Sequence, residues 1–247
     1  MYEQVSHSLL NRVLEELPGD IRKHDLQHFH TRLGANFYAV YSLFVLLYGK
    51  RDDYEEQLAC LIRILAQNYV QRDPELKILD QQRESDHNWF LDQHWVGTAL
   101  YADAFAGDLS GLGERLGYLQ ELGVNLVHVM PVLECPPGAS DGGYAVSDFR
   151  SVDKRVGTLQ DIRALSGRMR KRRMLLTLDV VMNHTSDQHE WAELARSGDQ
   201  CYQDYYYVYD DREVPDMFEE SMPEVFPETA PGNFTWDEAM GKWVMTV

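Results

Sequence analysis

Cysteine is scarce in this sequence: Cys60, Cys135 and Cys201 stand far apart among 247 residues and form no CxxC pair. That spacing offers no disulfide framework and suits reduced thiols. Positive charge is short as well. Lys and Arg total 23 against 40 Asp and Glu, a net charge of −17, which repels a phosphate backbone and anionic head groups and argues against nucleic acid as a partner. Long hydrophobic runs are missing too. The longest, Ala39 to Tyr48, is broken by Ser42 and falls well short of the ~20 residues that span a bilayer; it predicts a buried helix and no membrane partner. The N-terminus MYEQVSHSLLNRVLEEL has no basic stretch followed by an unbroken apolar one, so no secretory signal is visible and a cytoplasmic location is expected. Repeats and low-complexity tracts are absent.

What is present fits a globular chain: 44% hydrophobic and 26% charged residues, enough apolar material for a core in one large domain or two smaller ones. Leu9, Leu10, Val13, Leu14 and Leu17 recur at helical spacing before Pro18-Gly19. Leu26 to Leu47 and Tyr54 to Tyr69 continue that period, up to Gly49 and to Asp73-Pro74. The first 90 residues therefore read as helical, and the polar stretch DQQRESD, Asp80 to Asp86, as a linker or exposed helix end.

Beyond it short apolar runs alternate with helices. Val96 to Phe105 predicts a strand, Leu109 to Leu122 a helix with Leu112, Leu116, Leu119 and Leu122 inward, and Val124 to Val132 a second strand. After a Gly- and Pro-rich loop, Thr158 to Arg173 predicts a helix and Met174 to Met182 a third strand. Strands joined by helical crossovers imply parallel pairing. Runs such as VNLVHVMPV and MLLTLDVVM are what strands covered on both faces require. From His184 on, the chain reads as aromatic, acidic and irregular.

The third predicted strand leads into DVVMNHTSDQHEWA, which puts Asp179, Asn183 and His184 at the carboxyl end of a parallel strand, where ligands gather in such sheets. From spacing alone, the favoured reading is a buried structural carboxylate, a turn residue and a loop histidine. The string DVVMNHT, however, resembles the first signature region of the α-amylase superfamily (glycoside hydrolase family 13). SDGGYAVSDFRSVDKRVGTLQDIRAL, Ser140 to Leu165, resembles the amylosucrase form of the loop after the second barrel strand, and PEVFPETAPGNFTW, Pro223 to Trp236, resembles a segment of the amylosucrase inserted domain. The likeness also runs through the helical region and DHNWFLDQHWVGTALYADAFAGDLSGLGERLGYLQELGV.

This resemblance implies an α/β fold: a helical N-terminal domain (1–90), the first three strands of an incomplete (β/α)8 TIM barrel (91–184), and the start of an inserted B domain (185–247). It implies a retaining glucosyltransferase that takes sucrose as donor, releases fructose and extends an α-1,4-glucan acceptor, with no cofactor and no metal. Asp141 would accept hydrogen bonds from glucosyl hydroxyls, Tyr144 would offer its ring to the sugar's C–H face, and His184 would hydrogen-bond the donor ring. The nucleophilic Asp and acid/base Glu would fall at the ends of a fourth and fifth strand, outside this sequence, so no catalytic residue is assigned and the chain alone is expected to be inactive.

Asp179 and Asn183 are expected to be structural; in many relatives that Asn helps hold the inserted domain, sometimes through calcium. Tyr202, Tyr205, Tyr206, Tyr207 and Phe226 could line acceptor subsites or simply pack. Two departures stand out. Ala104 follows Asp103 where relatives often carry Arg, predicting loss of an ion pair, and Glu228 stands where Asp would be usual. The basic run Arg168 to Arg173 suits a helix C-terminus. Alternatives are another sucrose-active or α-amylase-type hydrolase or phosphorylase, or a non-catalytic carbohydrate-binding remnant. Exposed barrel edges predict self-association.

Overall fold

The computed structural model describes residues 2–15, 23–138, 140, 142–225, 227–228 and 231–246, and these fall into two compact units, Met1–Phe90 and Leu91–Val247. The first is helical: α1 (Tyr2–Glu15), α2 (Lys23–Tyr48), α3 (Tyr54–Gln71) and α4 (Pro74–Ser85). Leu33, Phe37 and Tyr41 of α2, spaced by four, meet Leu58, Ala59 and Ile62 of α3 and Leu9 and Leu10 of α1 in one core. That spacing puts one stripe of each helix inward. Leu17 and Pro18-Gly19 lie outside the described residues.

The polar stretch after Asp80 is helix rather than linker for most of its length, because α4 runs to Ser85. Pro74 occupies its first turn, where a missing N–H costs nothing. Most of the residues that follow it are good helix formers. Arg72 grips the Asp80 carboxylate through two nitrogens at 2.6 and 2.8 Å. Among the described residues, no helix is long and apolar enough to cross a membrane.

The second unit opens with β1 (Gly97–Leu100), α5 (Ala102–Ala106), α6 (Leu109–Glu114), α7 (Leu116–Glu121) and β2 (Leu126–Val129). It continues with β3 (Leu133–Glu134), β4 (Asp148–Val152), α8 (Leu159–Lys171) and β5 (Leu175–Leu178). Strands β1, β2 and β5 form a parallel sheet in that order, with Ala99 opposite His128 and His128 opposite Thr177. Val127 and Val129 of the central strand are fully buried against Leu112, Leu116, Leu165 and Met169, while Leu126 and His128 on the opposite face are only half-buried. Helices thus bury one face of the sheet, where the apolar runs suggested cover on both.

Several boundaries differ from expectation. The strand predicted over Val96–Phe105 stops at Leu100, because Ala-rich ADAFA prefers helix and forms α5, closed by left-handed Gly107. The helix predicted over Leu109–Leu122 is interrupted at Arg115, whose amide is shared between the carbonyls of Gly111 and Leu112. Leu122 caps the end of α7 and is 59% exposed rather than inward. The third strand is four residues long, so Asp179 to Met182 continue past the sheet. The Gly- and Pro-rich loop contains the antiparallel pair β3–β4, too short and irregular to announce itself by alternation.

Helix α8 shows local encoding at its clearest. The Thr158 hydroxyl accepts from the Asp161 amide while the Asp161 carboxylate accepts from the Thr158 amide, a complete capping box. Arg168, Arg170 and Lys171 occupy the last turn, where the helix dipole favours cations. Thr158→Ala is expected to lower the melting temperature by about 2–4 °C, the shift that loss of a ~1 kcal/mol cap gives in a chain of this size; calorimetry of the two proteins checks it.

From residue 185 on the chain is more regular than it reads. It carries α9 (Glu190–Arg196), α10 (Gln200–Gln203), β6 (Val208–Tyr209), α11 (Glu213–Glu219), β7 (Phe234–Asp237) and β8 (Lys242–Met245). The last strands pair antiparallel with β8 central, and Trp236 lies opposite Trp243. The signal was available in FTWD and KWVM, two aromatic runs joined by a turn ending at Gly241.

Candidate functional site

Asp179 is the first residue past β5, and its carboxylate is shared. One oxygen lies 2.8 Å from His128 Nε2, on the central strand, and the other accepts from the Tyr144 hydroxyl at 3.1 Å. An ionised carboxylate offers acceptors alone, so both neighbours donate. Burial first, and the hydrogen bond to Asp179 next, push the Tyr144 phenol above its ordinary value. Tyr144 reaches this place because Gly142 and Gly143 precede it at φ 60° and 88°, a backbone that residues with a Cβ rarely adopt. A Cβ at Gly142 would also stand 2.8 Å from the Tyr101 hydroxyl.

His184 sits on the segment that leaves β5. Its Nε2 donates to the Tyr144 carbonyl at 3.1 Å, which leaves Nδ1 to accept from the Asn183 amide at 3.3 Å. Tyr144 is therefore held at both ends, hydroxyl by Asp179 and carbonyl by His184. The loop is tied down further by the Ser186 amide donating to the Val146 carbonyl at 2.8 Å. Of the residues expected at the site, the structure brings Tyr144 and His184 together, while Asp141 lies outside the described residues.

A cleft of about 360 Å³ runs beside this cluster, lined by Phe149, Val180 to Thr185, Trp191, Tyr205 and Tyr206. It includes His184 but not Tyr144. Of the tyrosines singled out in the sequence, Tyr206 donates to or accepts from Thr185 Oγ1 at 2.9 Å, and Tyr202 packs on Tyr205, which packs on Trp191. Tyr207 is 68% exposed, and Phe226 lies outside the described residues.

Asp103 does not lose its ion pair for want of an arginine at position 104. Arg155, from the loop after β4, reaches its carboxylate at 2.7 Å and holds Asp153 at 3.1 Å. The Asp103 pair is largely solvent-exposed and contributes little, about 0–1 kcal/mol. Asp153 is 8% exposed and also accepts from the Cys135 thiol at 3.3 Å and the Arg155 amide at 2.8 Å. Burial pushes its pKa up, but these hydrogen bonds and the guanidinium outweigh it and hold the carboxyl below its ordinary value. A lowered folded pKa gives stability above the unfolded pKa that is lost as pH falls through the folded one. The wild-type melting temperature should therefore fall more steeply below about pH 4 than that of Asp153→Asn, which should itself be less stable at neutral pH by about 1.5–3 kcal/mol. Thermal unfolding across that range measures both.

His128 was not singled out in the sequence. Its signal was modest: a polar side chain between two buried valines on a strand places it on the face opposite theirs. Among the described residues, no group of three or more His, Cys, Asp or Glu is arranged to hold a metal ion, and Cys60, Cys135 and Cys201 are free thiols.

Comparison with known proteins agrees with this architecture. A trehalose synthase of Pimelobacter sp. (strain R48) is 38% identical over 164 residues, 62% of this chain and 28% of its own. An oligo-1,6-glucosidase of Bacillus cereus is 43% identical over 101 residues, 40% of this chain and 18% of its own. Among solved structures, an isomaltulose synthase mutant from Erwinia rhapontici NX5 in complex with sucrose aligns with a TM-score of 0.53 at 31% identity, over 62% of this chain and 28% of that one. The chain spans less than a third of the length of these relatives. The family model for the alpha amylase catalytic domain matches residues 71–247, and with that match the chain belongs to the alpha-amylase family.

Proposed function

We propose that this chain is the N-terminal part of an amylosucrase-like, retaining α-glucosyltransferase, in which 91–184 supplies the first three strands of a (β/α)8 barrel and 185–247 begins the inserted domain. The donor is sucrose, and the products are fructose and an extended α-1,4-glucan. The observation that carries the reading is the joint fixing of Tyr144 and His184 at the carboxyl end of the parallel sheet. Tyr144 presents an apolar ring face to the C–H side of a pyranose, and His184 supplies a hydrogen-bonding edge that follows charge as the oxocarbenium-like state forms. Asp141 accepts from the glucosyl hydroxyls. Likeness to a sucrose-bound isomaltulose synthase supports the choice of donor, and it also favours a second reading, a sucrose isomerase with the same donor pocket.

Saturation-transfer NMR of the chain with sucrose, trehalose and maltose tests the donor assignment. Sucrose is expected to receive the strongest transfer, and Tyr144→Ala and His184→Ala to abolish it. Preference for another disaccharide, or transfer indifferent to both substitutions, would remove the basis for this assignment.

The chain alone is also expected to self-associate. Strands β1 and β5 each pair on one side only among the described residues, and open edges recruit other chains. Val180 and Met182, 63% and 90% exposed, add apolar surface beside β5. Sedimentation velocity at micromolar concentration should show species heavier than 28.6 kDa; a single compact monomer would contradict this.

A further inference from the structure

We propose that Asp179 is a positioning residue that fixes the tilt of the Tyr144 ring against the bound sugar without itself touching the sugar. The proposal rests on the reading of Tyr144 as the ring that meets the donor. Asp179 sits at the tip of β5 with one oxygen committed to His128 of the neighbouring central strand and the other to the Tyr144 hydroxyl. The parallel pairing fixes this geometry: His128 lies opposite Thr177, two residues before Asp179 on the same strand, so the imidazole and carboxylate project from the same sheet face.

Tyr144 is 36% exposed, so one side of it is open to solvent. Two hydrogen bonds hold it. His184 takes the carbonyl and Asp179 the hydroxyl, so the backbone and the far end of the ring are anchored separately. With the hydroxyl bond lost, the ring would keep its backbone position but turn about its side-chain torsions. His128 in turn occupies the second carboxylate oxygen and keeps the carboxylate from rotating away. Burial raises the phenol pKa most, and the hydrogen bond to the Asp179 carboxylate adds to it.

Two variants separate this role from a general structural one. Asp179→Asn keeps the shape and removes the charge; Tyr144→Phe removes only the hydroxyl from a half-exposed ring and should fold normally. The full chain, labelled with 13Cζ-tyrosine, is titrated by NMR at alkaline pH, with Tyr144 identified by the signal missing in Tyr144→Phe. Sucrose affinity is measured on the same samples. In Asp179→Asn the Tyr144 midpoint should move down towards the ordinary tyrosine value. Both variants should bind sucrose about five- to tenfold more weakly, the effect of losing one partly exposed hydrogen bond. The double variant should be no weaker than either single one, since both break the same contact.

An unmoved Tyr144 midpoint, or Tyr144→Phe binding as well as wild type, overturns the positioning role. Failure of the wild type to bind sucrose while the Tyr144 midpoint still responds to Asp179→Asn overturns instead the sugar reading on which the role depends. If Asp179→Asn does not fold, the affinity of Tyr144→Phe decides alone.

Discussion

Incubated with sucrose, the purified chain is expected to release fructose at less than about one-hundredth of the rate of a full-length amylosucrase, a barrier difference of roughly 3 kcal/mol or more. Retaining glycosyl transfer needs a carboxylate to take the anomeric carbon and a carboxylic acid to protonate the leaving oxygen, about 5–5.5 Å apart. The carboxylates near the strand ends are otherwise engaged: Asp179 accepts from His128 and Tyr144, and Asp103 and Asp153 are paired with Arg155. Beyond residue 185, Asp187 and Asp237 share Arg196, and Asp216 and Glu219 share Arg212. The Asn233 amide first, and Arg212 with it, hold the Glu219 carboxyl below its ordinary value, and against the effect of burial Arg196 does the same for Asp237. A group kept ionised cannot act as the acid. Assay of fructose and glucose against a full-length relative decides the matter. Turnover within a hundredfold of that relative, abolished by His184→Ala, would mean that a pair among these carboxylates is catalytic.

Leu112→Ala is expected to destabilise the second unit by about 2–5 kcal/mol, a large share of the ~5–15 kcal/mol that usually holds a domain together. Leu112 is fully buried in the cluster that joins α6 and α8 to the back of β2. Removing its side chain leaves a cavity between elements fixed by the parallel sheet, which limits how far they can close over it. Leu122, ten residues on and 59% exposed, is the internal control: Leu122→Ala should change stability by less than about 0.5 kcal/mol. Urea unfolding followed by tryptophan fluorescence would compare them, and equal losses would show that the core is packed differently.

The same two leucines show where sequence reasoning reaches its limit. Both fit the helical period from Leu109 onward, yet one is core and one is cap, because the chain breaks at Arg115 and α7 stops at Glu121. Periodicity reports a face, not an end, and the end here depends on Gly123 and the entry into β2. The opposite error occurred at 185–247, where aromatic density hid short helices and a hairpin whose strands gain partners only when β8 comes to lie between β6 and β7.

The sequence by itself determined what local chemistry encodes: the helical first unit, the helix that begins after Thr158, the parallel order of β1, β2 and β5, and family membership through strings such as DVVMNHT and SDGGYAV. Tyr144 and His184 were legible as candidates through that resemblance. Tertiary structure alone decided that Asp179 joins Tyr144 to His128 across 51 residues of chain, that His184 holds the Tyr144 carbonyl, and that Arg155 replaces the missing neighbour of Asp103. Each of these is a contact between segments far apart in sequence, and hydrogen bonds of that kind depend on sheet register and loop path, which no local periodicity records.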